Sequence, residues 1–249
     1  MRRSLHVQVA GTLILIVILQ IGSKGLAIVA QSLRPATEPK QPQTLDCSSE
    51  IQTFPVPFAS DEEAAGDENR PTIRAGFVLN SALSLNVTEH ALTDLSGYGT
   101  EVVVKHKGGR EDHFQIWKLI GNSDLRLVHA AEVCSGPTDR TLVLEYEGNP
   151  TGGIEGFALI RYSSSGDSVE VYTLPITQQG KIVVFKNIPD YVQVWTTVPG
   201  GSITSEVSER RYRIRSCTLQ KGRFMCGTKG HVVGLYSPGE IDDPGIEIK

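Results

Sequence analysis

Between residues 70 and 240, apolar and polar residues alternate in short runs, and most runs are followed within two residues by Gly, Asn, Ser, Asp or Pro. Residues 141–147 set Leu142, Leu144 and Tyr146 against Thr141, Val143, Glu145 and Glu147. Residues 168–174 set Val169, Val171 and Thr173 against Glu170, Tyr172 and Leu174. A period of two is the mark of a strand, because successive side chains leave a pleated backbone on opposite sides. The same reading covers residues 73–79, 82–87, 101–107, 114–120, 125–130, 157–162, 181–185, 191–197 and 231–236. Strand and turn alternate, and residues 70–240 carry no helical pattern to supply βαβ crossovers. The prediction is an all-β fold: an antiparallel barrel or two-sheet sandwich of about ten short strands, with an extended N-terminal arm.

Several runs are apolar on both sides, notably residues 114–120, 191–197 and 212–225. A two-sheet sandwich leaves one face of each sheet polar. Either the arm, residues 31–69, covers one face, or the sheet closes into a barrel around a ligand.

One hairpin can be placed in register from sequence. With Lys221-Gly222 as a two-residue turn, Gln220 faces Arg223, Leu219 faces Phe224, Thr218 faces Met225 and Cys217 faces Cys226. Such turns need left-handed dihedrals, and Gly accepts them without steric cost. Outward counting puts the cysteines on a non-hydrogen-bonded pair, where the separation suits a disulfide. Four cysteines allow three pairings; this one leaves Cys47 to bond Cys134. None of the spacings matches a structural zinc knuckle. In the same run Arg211, Arg213 and Arg215 share one face, opposite Tyr212 and Ile214. Strict alternation also puts that row on the side of Cys217 and Leu219, which calls for a bulge near Ser216 or an unusually basic, partly exposed ribbon.

The N-terminus adds a location. Arg2 and Arg3 precede a short apolar stretch, residues 9–21, and Gly25-Leu26-Ala27 offers small residues for cleavage. We read residues 1–27 as a signal peptide, 28–69 as a Pro-rich and acidic arm or linker, 70–240 as the β domain and 241–249 as a tail. The protein is then secreted or extracellular; left uncleaved, the segment is a signal-anchor and the protein a single-pass membrane protein. Residues 61–69 (D-E-E-A-A-G-D-E-N) read as a solvated linker. Asn86-Val87-Thr88 is a glycosylation acceptor.

Charge narrows the partners. The chain carries 24 Lys and Arg, 28 Asp and Glu and a net charge of −4. Removing residues 1–27 takes away Arg2, Arg3 and Lys24, leaving 21 basic groups against 28 acidic ones, or −7. That balance argues against a nucleic-acid coat. His90, His106, His113, His129 and His231 form no metal-binding spacing; His106 and His113 could oppose one another across the loop between them, but exposed strand positions are the favoured reading. The sequence holds no nucleophile elbow, phosphate loop or dinucleotide fingerprint. We therefore expect neither an enzyme nor a cofactor.

Two sets of residues could bind. Arg211, Arg213 and Arg215, with Lys221 and Arg223 at the turn, form a candidate surface for an anionic ligand. Trp117, Trp195, Phe157 and Tyr191 supply the large apolar area of a candidate pocket. The β region, export signal and paired cysteines resemble secreted calyx-like barrels such as the lipocalins, although the Gly-x-Trp of their first barrel strand is absent. That resemblance implies carriage of a small apolar ligand. The leading reading is noncovalent binding of an extracellular protein, a sulfated glycan or another extracellular ligand; a structural surface-coat role is a further alternative.

Overall fold

A computed structural model describes residues 43–44, 47, 51–54, 72–92, 98–121, 125–148, 154–178, 180–200, 207–238 and 245–249. All lie in the compact unit Pro39–Lys249. The signal peptide, the acidic run 61–69 and the turns at 122–124 and 152–153 fall outside the described residues. So do residues 241–244 of the tail.

Sixteen strands and one helical turn are present among the described residues. The first are β1 (Gln43–Thr44), β2 (Gln52–Thr53), β3 (Thr72–Val78), β4 (Leu83–Ala91), β5 (Tyr98–His106) and β6 (Glu111–Gln115), followed by α1 (Ile116–Ile120). Next come β7 (Arg126–Cys134), β8 (Asp139–Glu147), β9 (Ile154–Ser163), β10 (Val169–Gln178) and β11 (Lys181–Val184). The last are β12 (Tyr191–Val198), β13 (Val207–Gln220), β14 (Arg223–Cys226), β15 (His231–Pro238) and β16 (Ile246–Ile248).

They form three open sheets, not a barrel and not a two-sheet sandwich. The first runs β1-β3-β4-β5-β6, the second β10-β9-β8-β7-β2 and the third β14-β13-β12-β11-β16, with β15 also paired to β13. All pairs are antiparallel except β1 with β3 and β11 with β16.

The second sheet is buried on both faces, which corrects the expectation and explains its hydrophobicity. On β9, Ala158, Ile160 and Tyr162 pack with Phe77, Leu85, Val87, Val102 and Val104 of the first sheet. The intervening Phe157 and Leu159 pack with Ile182, Val184, Val192, Val194 and Phe224 of the third. Strands covered on both sides become nearly continuous apolar runs. Each fully buried large aliphatic or aromatic side chain contributes roughly 1.5–3 kcal/mol.

Among the described residues, the arm runs along sheet edges rather than over a face. Its described residues extend sheet edges: β1 pairs with β3, and β2 pairs with β7. Phe54 then turns inward, its ring edge-on to Phe77 at 6.2 Å, while its N–H donates to the Val128 carbonyl at 2.7 Å. Cys47 is bonded to Cys134 on β7, with Cα atoms 5.6 Å apart. With β16, these short strands extend the sheets beyond the stretch 70–240.

Residues 114–120 are not one strand. The ladder stops at Gln115 and a single helical turn follows. Ile116 is fully buried and Ile120 packs on the same core, so spacing i, i+4 serves the burial that alternation also satisfied. Gly121, at φ 80°, ends the turn by donating its N–H to the Trp117 carbonyl at 3.0 Å. Among the described residues no helix is long and apolar enough to cross a membrane.

Candidate binding surface on strand β13

Strand β13 runs unbroken for 14 residues, a length of about 46 Å. It pairs along one edge with β12, and along the other with β14 at one end and β15 at the other. The β13–β14 turn is as read: Lys221 and Gly222 have φ 49° and 76°, and Cys217 faces Cys226 with Cα atoms 3.9 Å apart in a disulfide.

The β12–β13 register passes Ser216 without a shift, so no bulge intervenes. Arg211, Arg213 and Arg215 do share the face of Cys217 and Leu219. Cys217 is fully buried in the core between the second and third sheets, and Leu219 packs on that core. Arg211 and Arg213 are exposed and Arg215 is half-buried. Part way along β13 the face passes from beneath the second sheet into solvent. On the opposite face Tyr212 and Ile214 are buried with Trp195 and Val183.

Two glycines shape the ground beside the row. A Cβ on Gly200 would lie 2.9 Å from Nη1 of Arg211. One on Gly230 would lie 2.8 Å from Cγ of Arg213 and 3.2 Å from Cγ of Arg215. A side chain at Gly200 would press on Arg211, whereas one at Gly230 would also meet the Ile214 backbone carbonyl, 2.6 Å away. Among the described residues no carboxylate lies within ion-pair distance of the three guanidinium groups. Glu209, on the same face, is hydrogen-bonded instead to Tyr236, whose phenol is thereby raised above its ordinary pKa.

Lys221 and Arg223 stand apart from this row. Lys221 is about 33 Å along the strand from Arg211. Arg223 opposes Gln220, so it projects from the other face.

The aromatic set is divided among three places. Phe157 is fully buried between the second and third sheets. Trp117 lies on α1 beside Gly99, and its buried Nε1 has no hydrogen-bond partner among the described residues. Trp195 and Tyr191 lie on the outer face of the third sheet. Trp195 donates to Gln193 Oε1 at 3.1 Å, and Gln193 Nε2 donates to the Tyr191 hydroxyl at 3.0 Å. Asn86 is half-buried on β4, between Gly76 and Val103 of the adjoining strands.

Acidic residues hidden in strands escaped the sequence reading. Glu132, buried on β7, accepts the Cys47 N–H at 2.7 Å and the hydroxyl of Tyr162. Arg140 Nη1 lies against Sγ of Cys134. Cys47, Glu132 and Cys134 cluster as metal ligands do, but both sulfurs are held in the disulfide. Glu145, also buried, is 2.7 Å from His129 Nδ1. Burial and the neighbouring Glu145 raise the carboxyl pKa of Glu147 on the same face. The available signal was parity: each acid shares its side of the strand with buried apolar residues.

His106 and His113 do not oppose one another. His106 is 2.8 Å from Asp112, whose carboxyl is held low by that hydrogen bond and by Arg110. His113 faces Val103 and lies 3.3 Å from Glu101. A cleft of about 240 Å³ at the end of β8 and β9 is polar and of mixed sign, lined by Arg140, Arg161, Tyr162, Ser163 and Glu170 among others. Its Arg161 is paired with Asp190 at 2.7 Å.

No protein-family model, no curated protein and no solved structure matches this chain. The fold defines its class: a disulfide-stabilised, largely β-sheet domain of three open sheets.

Proposed function

We propose that this is a secreted, noncatalytic binding module that holds an acidic extracellular protein partner against the Arg211–Arg213–Arg215 row. The observation that carries the reading is three arginines, at backbone positions about 6.6 Å apart along one strand, two of them exposed, with no carboxylate in ion-pair distance among the described residues. Arginine offers five donors in a planar fork, so an approaching carboxylate or sulfate gains charge-assisted, often bidentate, bonds. The side chains packed into both inter-sheet cores favour a surface partner over an enclosed apolar ligand. Two cystines and the export-type N-terminus support an oxidising, extracellular setting.

Heparin serves as a polyanion probe. The triple variant R211E/R213E/R215E should elute from a heparin column at lower salt than the wild type. Reversal of three charges elsewhere, K221E/R223E/K229E, should have the smaller effect. Retention unchanged by reversing the row would sink this reading.

A further inference from the structure

We infer that the free edge of β15 is a strand-addition site, at which an extended acidic segment of the partner protein pairs antiparallel with Val232, Gly234 and Tyr236. The inference rests on the reading of the arginine row and adds to it the backbone that would hold the partner.

Backbone direction follows from the ladder. The Ser216 carbonyl accepts the Gly227 N–H at 2.9 Å, on the edge of β13 that β14 and β15 share. Hydrogen bonding alternates along an antiparallel strand, so Ile214, Tyr212, Arg210 and Ser208 face β15. Their partners are His231, Val233, Leu235 and Ser237. The N–H and C=O groups of Val232, Gly234 and Tyr236 therefore point to the opposite edge of β15. Among the described residues no strand pairs with that edge.

Natural sheets protect such edges with prolines, charges or bulges. β15 has no Asp, Glu, Lys or Arg, no proline before Pro238, and eight consecutive pairs with β13 without a register shift. Its exposed side chains mark the face an added strand would use. Val232 is 44% exposed and Tyr236 70%, and both share the face of Arg211 and Arg213. With Glu209 counted against Arg211, Arg213 and Arg215, the charged groups of β13 on that face sum to +2. Directly opposed residues in a sheet share a face, so every second side chain of an added strand would lie beside this positive surface. Acidic residues at those positions fit it. Recognition of this kind draws affinity from main-chain bonds and selectivity from alternate side chains.

Geometry makes the test specific. In antiparallel addition, the residues whose side chains lie on the arginine face are those whose N–H groups point to β15. The probe is a fluorescent octapeptide of alternating Glu and Thr, followed by anisotropy. N-methylation of its Glu amides should weaken binding about tenfold or more, while N-methylation of its Thr amides should leave it nearly unchanged. Gly234→Pro removes an edge N–H that β13 does not use; it should abolish peptide binding and spare heparin retention. Failure of that variant to fold does not affect the methylated-peptide comparison, which uses the wild type. Absence of binding by the unmodified peptide, or equal binding of the two methylated ones, overturns the inference while leaving the heparin result to judge the arginine row. A dimer in solution that Gly234→Pro dissociates also overturns it, because a second copy then occupies the edge.

Discussion

The carboxylate of Glu145 occupies the space that a side chain on Gly245 would need, and a 2.7 Å hydrogen bond with His129 holds it there. Gly245 begins the last ladder, its carbonyl accepting the Ile182 N–H at 2.8 Å. Neither the backbone nor the buried acid can move without loss. Gly245→Ala should lower unfolding free energy by about 2–3 kcal/mol, an overpacking cost. Combined with Glu145→Ala, the same change should cost markedly less, which denaturant melts of the four proteins will show as nonadditivity. Additive effects would refute the clash.

The two disulfides should differ in weight. Cys47 and Cys134 are 87 residues apart in sequence, Cys217 and Cys226 only 9. On chain-entropy grounds, replacing the first pair by alanine should cost about 4–5 kcal/mol and the second about 2.5–3 kcal/mol. Hydrogen exchange at the Phe54 amide should accelerate in the first variant alone, because Cys47–Cys134 ties down the arm that places Phe54 against Val128. A larger loss from the hairpin pair would contradict the assignment.

Glu132 joins the arm to the core through two donors, the Cys47 amide and the Tyr162 hydroxyl. Burial, and then the bond to Glu132, push the Tyr162 phenol far above its ordinary range. Tyr162→Phe leaves the buried carboxylate short of a donor and should cost about 1–3 kcal/mol. In a double-mutant cycle with Glu132→Gln, coupling near zero would remove this bond from the account.

Tyr172 bears on alkaline stability. Burial, followed by its hydrogen bond to Glu170, pushes its pKa up to about 12. An unfolded tyrosine ionises near 10. The neutral phenol therefore contributes its full share to stability below about pH 10, and that share is lost as pH rises from about 10 to about 12. Absorbance titration should show Tyr172 ionising late in the wild type and earlier in Glu170→Gln. Titration near pH 10 with the fold intact would disprove the environment described.

Strand identity was largely legible, because alternation follows from the pleat of each strand alone. The predicted strand at 191–197 is Tyr191–Val198, and that at 141–147 lies within Asp139–Glu147. The Cys217–Cys226 register was legible for a related reason: a two-residue turn leaves no freedom in which residues face one another. By contrast, Ile116 and Ile120 satisfy a strand and a helical turn equally well, so only packing against the core could decide between them.

The sequence by itself determined an all-β domain, four cysteines with one locally dictated pairing, and an arginine row on the face of Cys217. Tertiary structure alone decided that three sheets stack, that the middle one is covered twice, and that its cover ends part way along β13. Those outcomes depend on which faces meet across distant segments, whereas period and turn length are properties of neighbours along the chain. The same distant packing brings Gly245 to Glu145, and places Gly200 and Gly230 beside the arginines.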